Sequence, residues 1–333
     1  MVFRNDEWLA QTIEPVLDPE REIVDPHHHL WPSEAMGYNL DEFLGDMESG
    51  HKVVQTVFME CGASYRKDGP EHLMPLGETE FVADAADRAV ERGAATTIAG
   101  IVAHADLRGE HLDEVLDAHD ALAGGRFRGI RHAGARATHP DAFRIAGSAP
   151  EGLYADDAFR RGVARLGARG LTYDTWHYHY QNRDFLALAK AVPETTMVLD
   201  HFGTPAGVGP YAGQREEIFA AWKDDIAAIA ECPNVVAKLG GLAMPDNGFG
   251  WDARDTPPGS EEMLEVQGRY YRYAIACFGA DRCMFESNFP VDRWSLSYGV
   301  YWNAMKRLAA EYTEPERVAM FAGTARRIYR LDT

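Results

Sequence analysis

Short, nearly continuous apolar runs alternate along this chain with longer stretches whose apolar residues recur at three- and four-residue spacing. The short runs read as parallel strands covered on both faces, because an exposed strand would alternate apolar and polar positions. The longer stretches read as amphipathic helices with a solvated outer face. Strands are predicted over residues 23–29, 53–60, 97–103, 127–132, 171–175, 197–201, 235–239 and 283–288. Helical patterns fall between them, for example over 78–92, 156–168, 215–231, 261–278 and 298–311. Eight strand–helix units in succession predict an α/β fold, a (β/α)8 TIM barrel, and not a helical bundle or an all-β sandwich. No internal repeat or low-complexity tract divides the chain. Residues 1–21, polar and broken by proline, read as an N-terminal arm, and residues 22–333 as one barrel domain ending in a closing helix over 313–332.

Two segments interrupt the alternation, and both follow strand ends, where barrels of this kind build their pockets. They cover residues 134–154 and the glycine- and proline-rich 244–260. Each is expected to be a lid, a surface ornament or a subunit contact.

Composition narrows the choice of partner. The 333 residues, 46% hydrophobic, are enough for one barrel core, and the formal net charge of −19 argues against nucleic acid or an anionic membrane surface as a partner. No leader-like segment and no apolar run of membrane-spanning length is found, so a soluble cytoplasmic protein is expected. Cys61, Cys232, Cys277 and Cys283 lack metal-type spacing and read as reduced, with only Cys61 close enough to a strand end to line a site. A homo-oligomer is compatible with the sequence, although no interface stripe stands out.

The chain declares a chemistry first at Val24-Asp25-Pro26-His27-His28-His29-Leu30-Trp31. Strand alternation sends His27 and His29 the same way and His28 the other, so two imidazoles face one divalent cation or one anionic substrate. His201, at the end of the sixth apolar run, would meet them on the carboxyl face of the barrel. The alternative for such histidines is a hydrogen-bonded core cluster. Glu286, two residues before Asn288, shares its strand face, and burial there would raise its pKa toward that of a useful general base. It could equally be a buried carboxylate paired with Lys238. Asp174, near the end of the fifth run, is the second candidate base, and a turn cap is the alternative. Arg128 and Arg131 lie three apart and therefore face opposite ways.

Four segments resemble the amidohydrolase superfamily, specifically its TIM-barrel lactonase branch: Asp25, His27, His29 and Trp31; Phe127-Arg128-Gly129-Ile130-Arg131-His132; Met197-Val198-Leu199-Asp200-His201-Phe202-Gly203; and Phe285-Glu286-Ser287-Asn288-Phe289-Pro290. The resemblance covers roughly residues 22–331. It implies a metal set of His27, His29 and His201 holding a divalent ion, zinc or manganese. It also favours Arg131, next to His132, as the inward arginine, with a structural salt bridge as the alternative. Trp176 and His177, following the fifth run, read as pocket wall with a surface loop as the alternative, and His132, Tyr173 and Asn288 are further expected substrate contacts. The related lactonases carry aspartate where this chain has Asn288. An amide accepts no proton at ordinary pH and offers no anionic oxygen, so a metal-independent reaction is the second expectation.

The activity expected from the resemblance is hydrolysis of a small polar or carboxylated lactone, with Glu286 or Asp174 activating water and Arg131 forking onto an anionic substrate. Decarboxylation or hydration on the same barrel, or metabolite binding without catalysis, are the alternatives.

Overall fold

The computed structural model describes residues 3, 5–32 and 36–332. Its strands are β1 (Glu22–His28), β2 (Lys52–Met59), β3 (Thr97–Ala103), β4 (Phe127–Arg131), β5 (Thr172–Thr175), β6 (Met197–Leu199), β7 (Val235–Leu239) and β8 (Cys283–Phe285). They pair in parallel in chain order. The sheet closes just past β8, where Asn288 N donates to His27 O at 3.0 Å and His29 N donates to Phe289 O at 2.8 Å. This is the predicted (β/α)8 barrel.

Around it run α1 (Asp6–Leu9), α2 (Leu40–Met47), α3 (Leu76–Glu91), α4 (Leu112–Leu122), α5 (Asp157–Ala168), α6 (Asn182–Ala191), α7 (Arg215–Ala230), α8 (Ser260–Phe278) and α9 (Tyr298–Ala309). Their starts carry local instructions. Asn39 caps α2 and receives Glu42 in return, while the Asp156 side chain accepts from Ala158 N and Phe159 N at the head of α5. The predicted closing helix is instead two, α10 (Glu314–Val318) and α11 (Thr324–Tyr329), joined by one π-helical stretch, Ala319–Gly323.

Val24, Val57, Val102, Val198, Val236 and Met284 pack together with Ala325 and Tyr329 of α11, so the chain's last helix plugs the lower end of the barrel. Two strands end two or more residues earlier than the hydrophobic pattern suggests. β6 stops at Leu199 because His201 and Phe202 turn into the left-handed region, at φ 54° and 58°. β8 stops at Phe285, and Asn288 has φ 55°. Apolar pattern marks burial, and burial continues through these turns after the ladder has ended.

The arm is woven onto the barrel: Phe3 stacks on Trp31 and Trp294 with ring centroids 5.3 and 4.8 Å apart. The two insertions meet, since the Asp246 carboxylate accepts from Arg144 N at 2.6 Å and from Ile145 N at 2.9 Å. Among the described residues, no helix is long and apolar enough to cross a membrane.

Candidate active site

The His-x-His pair at the end of β1 behaves as alternation requires. His28 turns outward, stacked on Phe43 and bonded to Thr56 Oγ1 at 3.1 Å, whereas His27 and His29 turn inward with their Nε2 atoms 3.2 Å apart. The segment is anchored by Asp25, whose carboxylate accepts from Ser287 N and Tyr298 Oη and so ties the end of β1 to the segment after β8. Burial pushes the Asp25 carboxyl up to about 6.

Glu286 stands between His27 and His201. Its Oε1 lies 2.7 Å from His201 Nδ1, and its Oε2 lies 2.7 Å from His27 Nδ1. Two consecutive glycines make the room. A Cβ on Gly240 would stand 2.0 Å from Glu286 O, and one on Gly241, at φ 74°, would stand 2.3 Å from His201 Nδ1. Burial raises the Glu286 carboxyl to about 8, with Lys238 pulling the other way. Burial likewise lowers His201 to about 3 and His27 well below the ordinary imidazole value, so both rings are neutral.

The tautomers follow from the acceptors. His29 Nδ1 faces the Met59 carbonyl at 2.8 Å and must be the protonated nitrogen, leaving Nε2 bare. His27 Nε2 stands 3.2 Å from His29 Nε2 and 3.4 Å from Arg131 Nη1, and the guanidinium can only donate to it. On the other side of the ring, Nδ1 stands 2.7 Å from Glu286 Oε2. A carboxyl raised to about 8 holds a proton at neutral pH, so this contact is closed by a shared proton or by a cation that displaces it. His27, His201 and Glu286 offer ligand atoms within 4.8 Å of one another, and this nitrogen–nitrogen–oxygen set fits a divalent metal of the zinc or manganese type. The expected set of His27, His29 and His201 is thereby altered: His29 lies second in line behind His27, and Glu286 supplies the anionic oxygen that position 288 lacks.

Beneath this cluster lies a second one. Lys238, the last residue but one of β7, reaches Asp174 Oδ2 at 3.0 Å and Asp200 Oδ1 at 3.2 Å. Burial works against the charge on Lys238, but Asp200, Asp174 and Glu286 outweigh it and hold its pKa above the ordinary value. Asp174 also accepts from Thr172 Oγ1 and Tyr329 Oη. The expectation of Asp174 as a base fails on position, because its carboxylate faces this lower cluster and is already engaged. Lys238 and Asp200 were not singled out as site residues. A lysine within the apolar run of β7 was the available signal.

Arg131 is inward and buried, as expected, but its guanidinium is taken. Nε donates to Glu60 Oε1 at 2.8 Å, one Nη donates to Glu60 O, and the other reaches Asp200 Oδ2 at 3.4 Å. The planar fork foreseen for a substrate carboxylate is thus directed at the protein's own groups.

A cavity of about 470 Å³ opens above the histidines on the carboxyl face. His29, Glu60, Arg131, His201 and Asn288 form its polar part, and Trp31, Met36, Ile145, Trp176, Met244 and Val291 contribute apolar wall, with Cys61 also present. Ile145 and Met244 come from the two insertions, which therefore help to wall the pocket. Asn288 turns its Nδ2 onto the buried Asp292 at 2.9 Å. Three expected contacts are not on the cavity. His132 Nδ1 accepts from Leu107 N, Tyr173 Oη donates to His132 O, and His177 lies among Tyr154, Thr175 and Asn182. Each side chain is buried behind the pocket, against the inner sides of the helices.

Comparison with known proteins shows the family. The family model described as "Amidohydrolase" matches residues 24–331, and the chain belongs to that family of enzymes. An uncharacterised protein of Sinorhizobium fredii is 32% identical over 93% of this chain and 98% of its own length. An L-fucono-1,5-lactonase of Burkholderia multivorans is 31% identical over 92% of this chain and 96% of its own. Among solved structures, an amidohydrolase of Burkholderia multivorans with bound HEPES superposes with a TM-score of 0.73 at 25% identity, covering 94% of this chain and all of that one (100%).

Proposed function

We propose that this protein hydrolyses a lactone to the open hydroxy acid. The observation that carries the reading is the Glu286 carboxylate set between His27 and His201, 2.7 Å from each, below a cavity on the carboxyl face of the barrel. The name of the Burkholderia relative, a lactonase, supports the same reaction class.

In this reading Glu286 holds the His201 ring through Nδ1, and His201 lines the cavity with Nε2 as the nitrogen left to take a proton. Water gives that proton to Nε2 as its oxygen bonds to the ester carbonyl carbon, and the Glu286 carboxylate stabilises the imidazolium that forms. Collapse of the tetrahedral centre breaks the ring carbon–oxygen bond, and the same proton returns to the departing alkoxide. The Arg131 guanidinium, on the cavity floor, supplies positive charge to the carbonyl oxygen as it becomes anionic. His27, His201 and Glu286 are also the residues that would hold a divalent metal, which when bound would act as a Lewis acid toward oxygen ligands; His201 would then be a ligand and not the proton acceptor.

The test is acid release from a lactone panel, run beside elemental analysis of the purified protein. Ring opening with one acid equivalent per turnover is expected, with His201→Ala folded but inactive. Release of carbon dioxide from an aromatic acid, or full lactone turnover by folded His201→Ala, would overturn the reading.

A further inference from the structure

The pocket is built unevenly, and the unevenness speaks to the substrate. Its polar groups face one another: Arg131 is engaged with Glu60 and Asp200, Asn288 with Asp292, His29 with Met59 O, and His201 with Glu286. Among the described residues, His201 Nε2, Asn288 Oδ1 and the second Glu60 oxygen are left over from these pairs, and a hydroxyl of a sugar-derived lactone placed against Trp31, Met36, Ile145, Met244 or Val291 would reach apolar wall instead. A buried hydroxyl without a partner loses its hydration and gains nothing in return.

The rest of the described wall is apolar and well supported. Trp31 is backed by Phe3 at 5.3 Å, and Trp176 is set edge-on to Tyr178 at 5.8 Å, so neither indole is a loose flap. Met36, Ile145, Met244 and Val291 supply aliphatic surface around them. At about 470 Å³ the cavity lies within the usual small-molecule range of about 300–1,000 Å³ and has room for a substituent on the ring.

The geometry points to a lactone carrying an alkyl or aryl substituent as the substrate class, with the ester over His201 and the substituent against Trp31 and Trp176. A polyhydroxylated aldonolactone is the class the pocket disfavours. This inference rests on the hydrolase reading above for its reaction, but the wall chemistry can be tested apart from it.

The experiment compares kcat/KM for γ-lactones of increasing alkyl chain, from γ-valerolactone to γ-nonalactone, with that for L-fucono-1,5-lactone. A rise of at least about tenfold along the alkyl series is expected, since single methylenes in apolar pockets typically discriminate by about tenfold or more. The polyol lactone should fall below the whole series. Trp176→Ala should flatten the dependence on chain length, and the nearly isosteric Val291→Thr should shift preference toward the polyol without a large change of volume. A flat series, or preference for L-fucono-1,5-lactone, would overturn the inference. Should none of these lactones be opened, the hydrolase reading is what fails. Calorimetric binding of 2-alkylcyclopentanones then decides the wall chemistry: affinity rising with chain length upholds it, and affinity independent of chain length refutes it.

Discussion

Two buried ionic clusters occupy the same barrel, one above the other, and Asp200 touches both. In the lower one, Lys238 lies between Asp174 and Asp200, Arg131 also reaches Asp200, and Asp174 is completed by Thr172 and Tyr329, so two cations meet two anions. In the upper one, His27, His201 and Glu286 bring two neutral rings and a carboxylate together, with His27 Nδ1 and Glu286 Oε2 left facing each other. Both clusters are shielded from water, where an unmatched group is costly. The contrast separates a set in which charges of both signs meet from one in which a carboxyl meets two neutral rings. Burial alone would not have told them apart.

The comparison is broken most directly at Glu286. Glu286→Gln keeps the shape but removes the anion from the upper cluster, and kcat should fall by about 10²–10⁴-fold, the range associated with lost proton-transfer catalysis. Circular dichroism and thermal melting should show a folded chain. Collapse of the fold together with activity would mean that the upper cluster is structural, like the lower one.

The next largest effect belongs to the lower end. Tyr329→Ala removes the ring that plugs the barrel and a donor to Asp174, and the loss should be about 3–5 kcal/mol in denaturant unfolding, as for other large-to-small aromatic changes in cores. Activity per folded molecule should survive. A matching loss of kcat would show that the two clusters act as one.

A smaller effect sharpens the rule at a third site. Glu78, on α3, is buried and accepts from Cys61 N at 3.0 Å and Ala63 N at 2.7 Å, behind the loop that lines the pocket. Burial raises its carboxyl from 4.5 to about 8. The native state therefore holds a proton that the unfolded chain releases, so this contribution to stability is complete below pH 4.5 and is lost as the pH rises through about 8. Glu78→Gln should accordingly stabilise the protein more at pH 8 than at pH 5, by about 1 kcal/mol or more. Equal effects at both pH values would show that Glu78 carries no unmatched charge.

Legibility from sequence followed period and position. All eight strands were visible because buried parallel strands are apolar runs, and His27, His29 and His201 were visible because they stand where such runs end. Glu286 was assigned to the interior by strand parity, although β8 stops one residue earlier at Phe285, and a turn delivers the side chain instead. What could not be read was pairing across the barrel. That Arg131 is engaged with Glu60, Asp174 with Lys238, and His29 with the Met59 carbonyl depends on the register between strands, to which composition and spacing are blind. The same blindness placed His132, Tyr173 and His177 in the pocket. His132 and His177 follow strands that lead toward it and Tyr173 lies within β5, but all three side chains are directed back toward the helices.

The seam of the barrel passes through the reactive floor. Asp25 receives the backbone of Ser287 across 262 positions of chain, and the histidines of β1 meet their carboxylate only when β8 has been laid beside them. A chain laid down only as far as β7 would carry His27, Arg131 and His201 but not Glu286, so the carboxyl that joins the rings comes from the strand that closes the barrel.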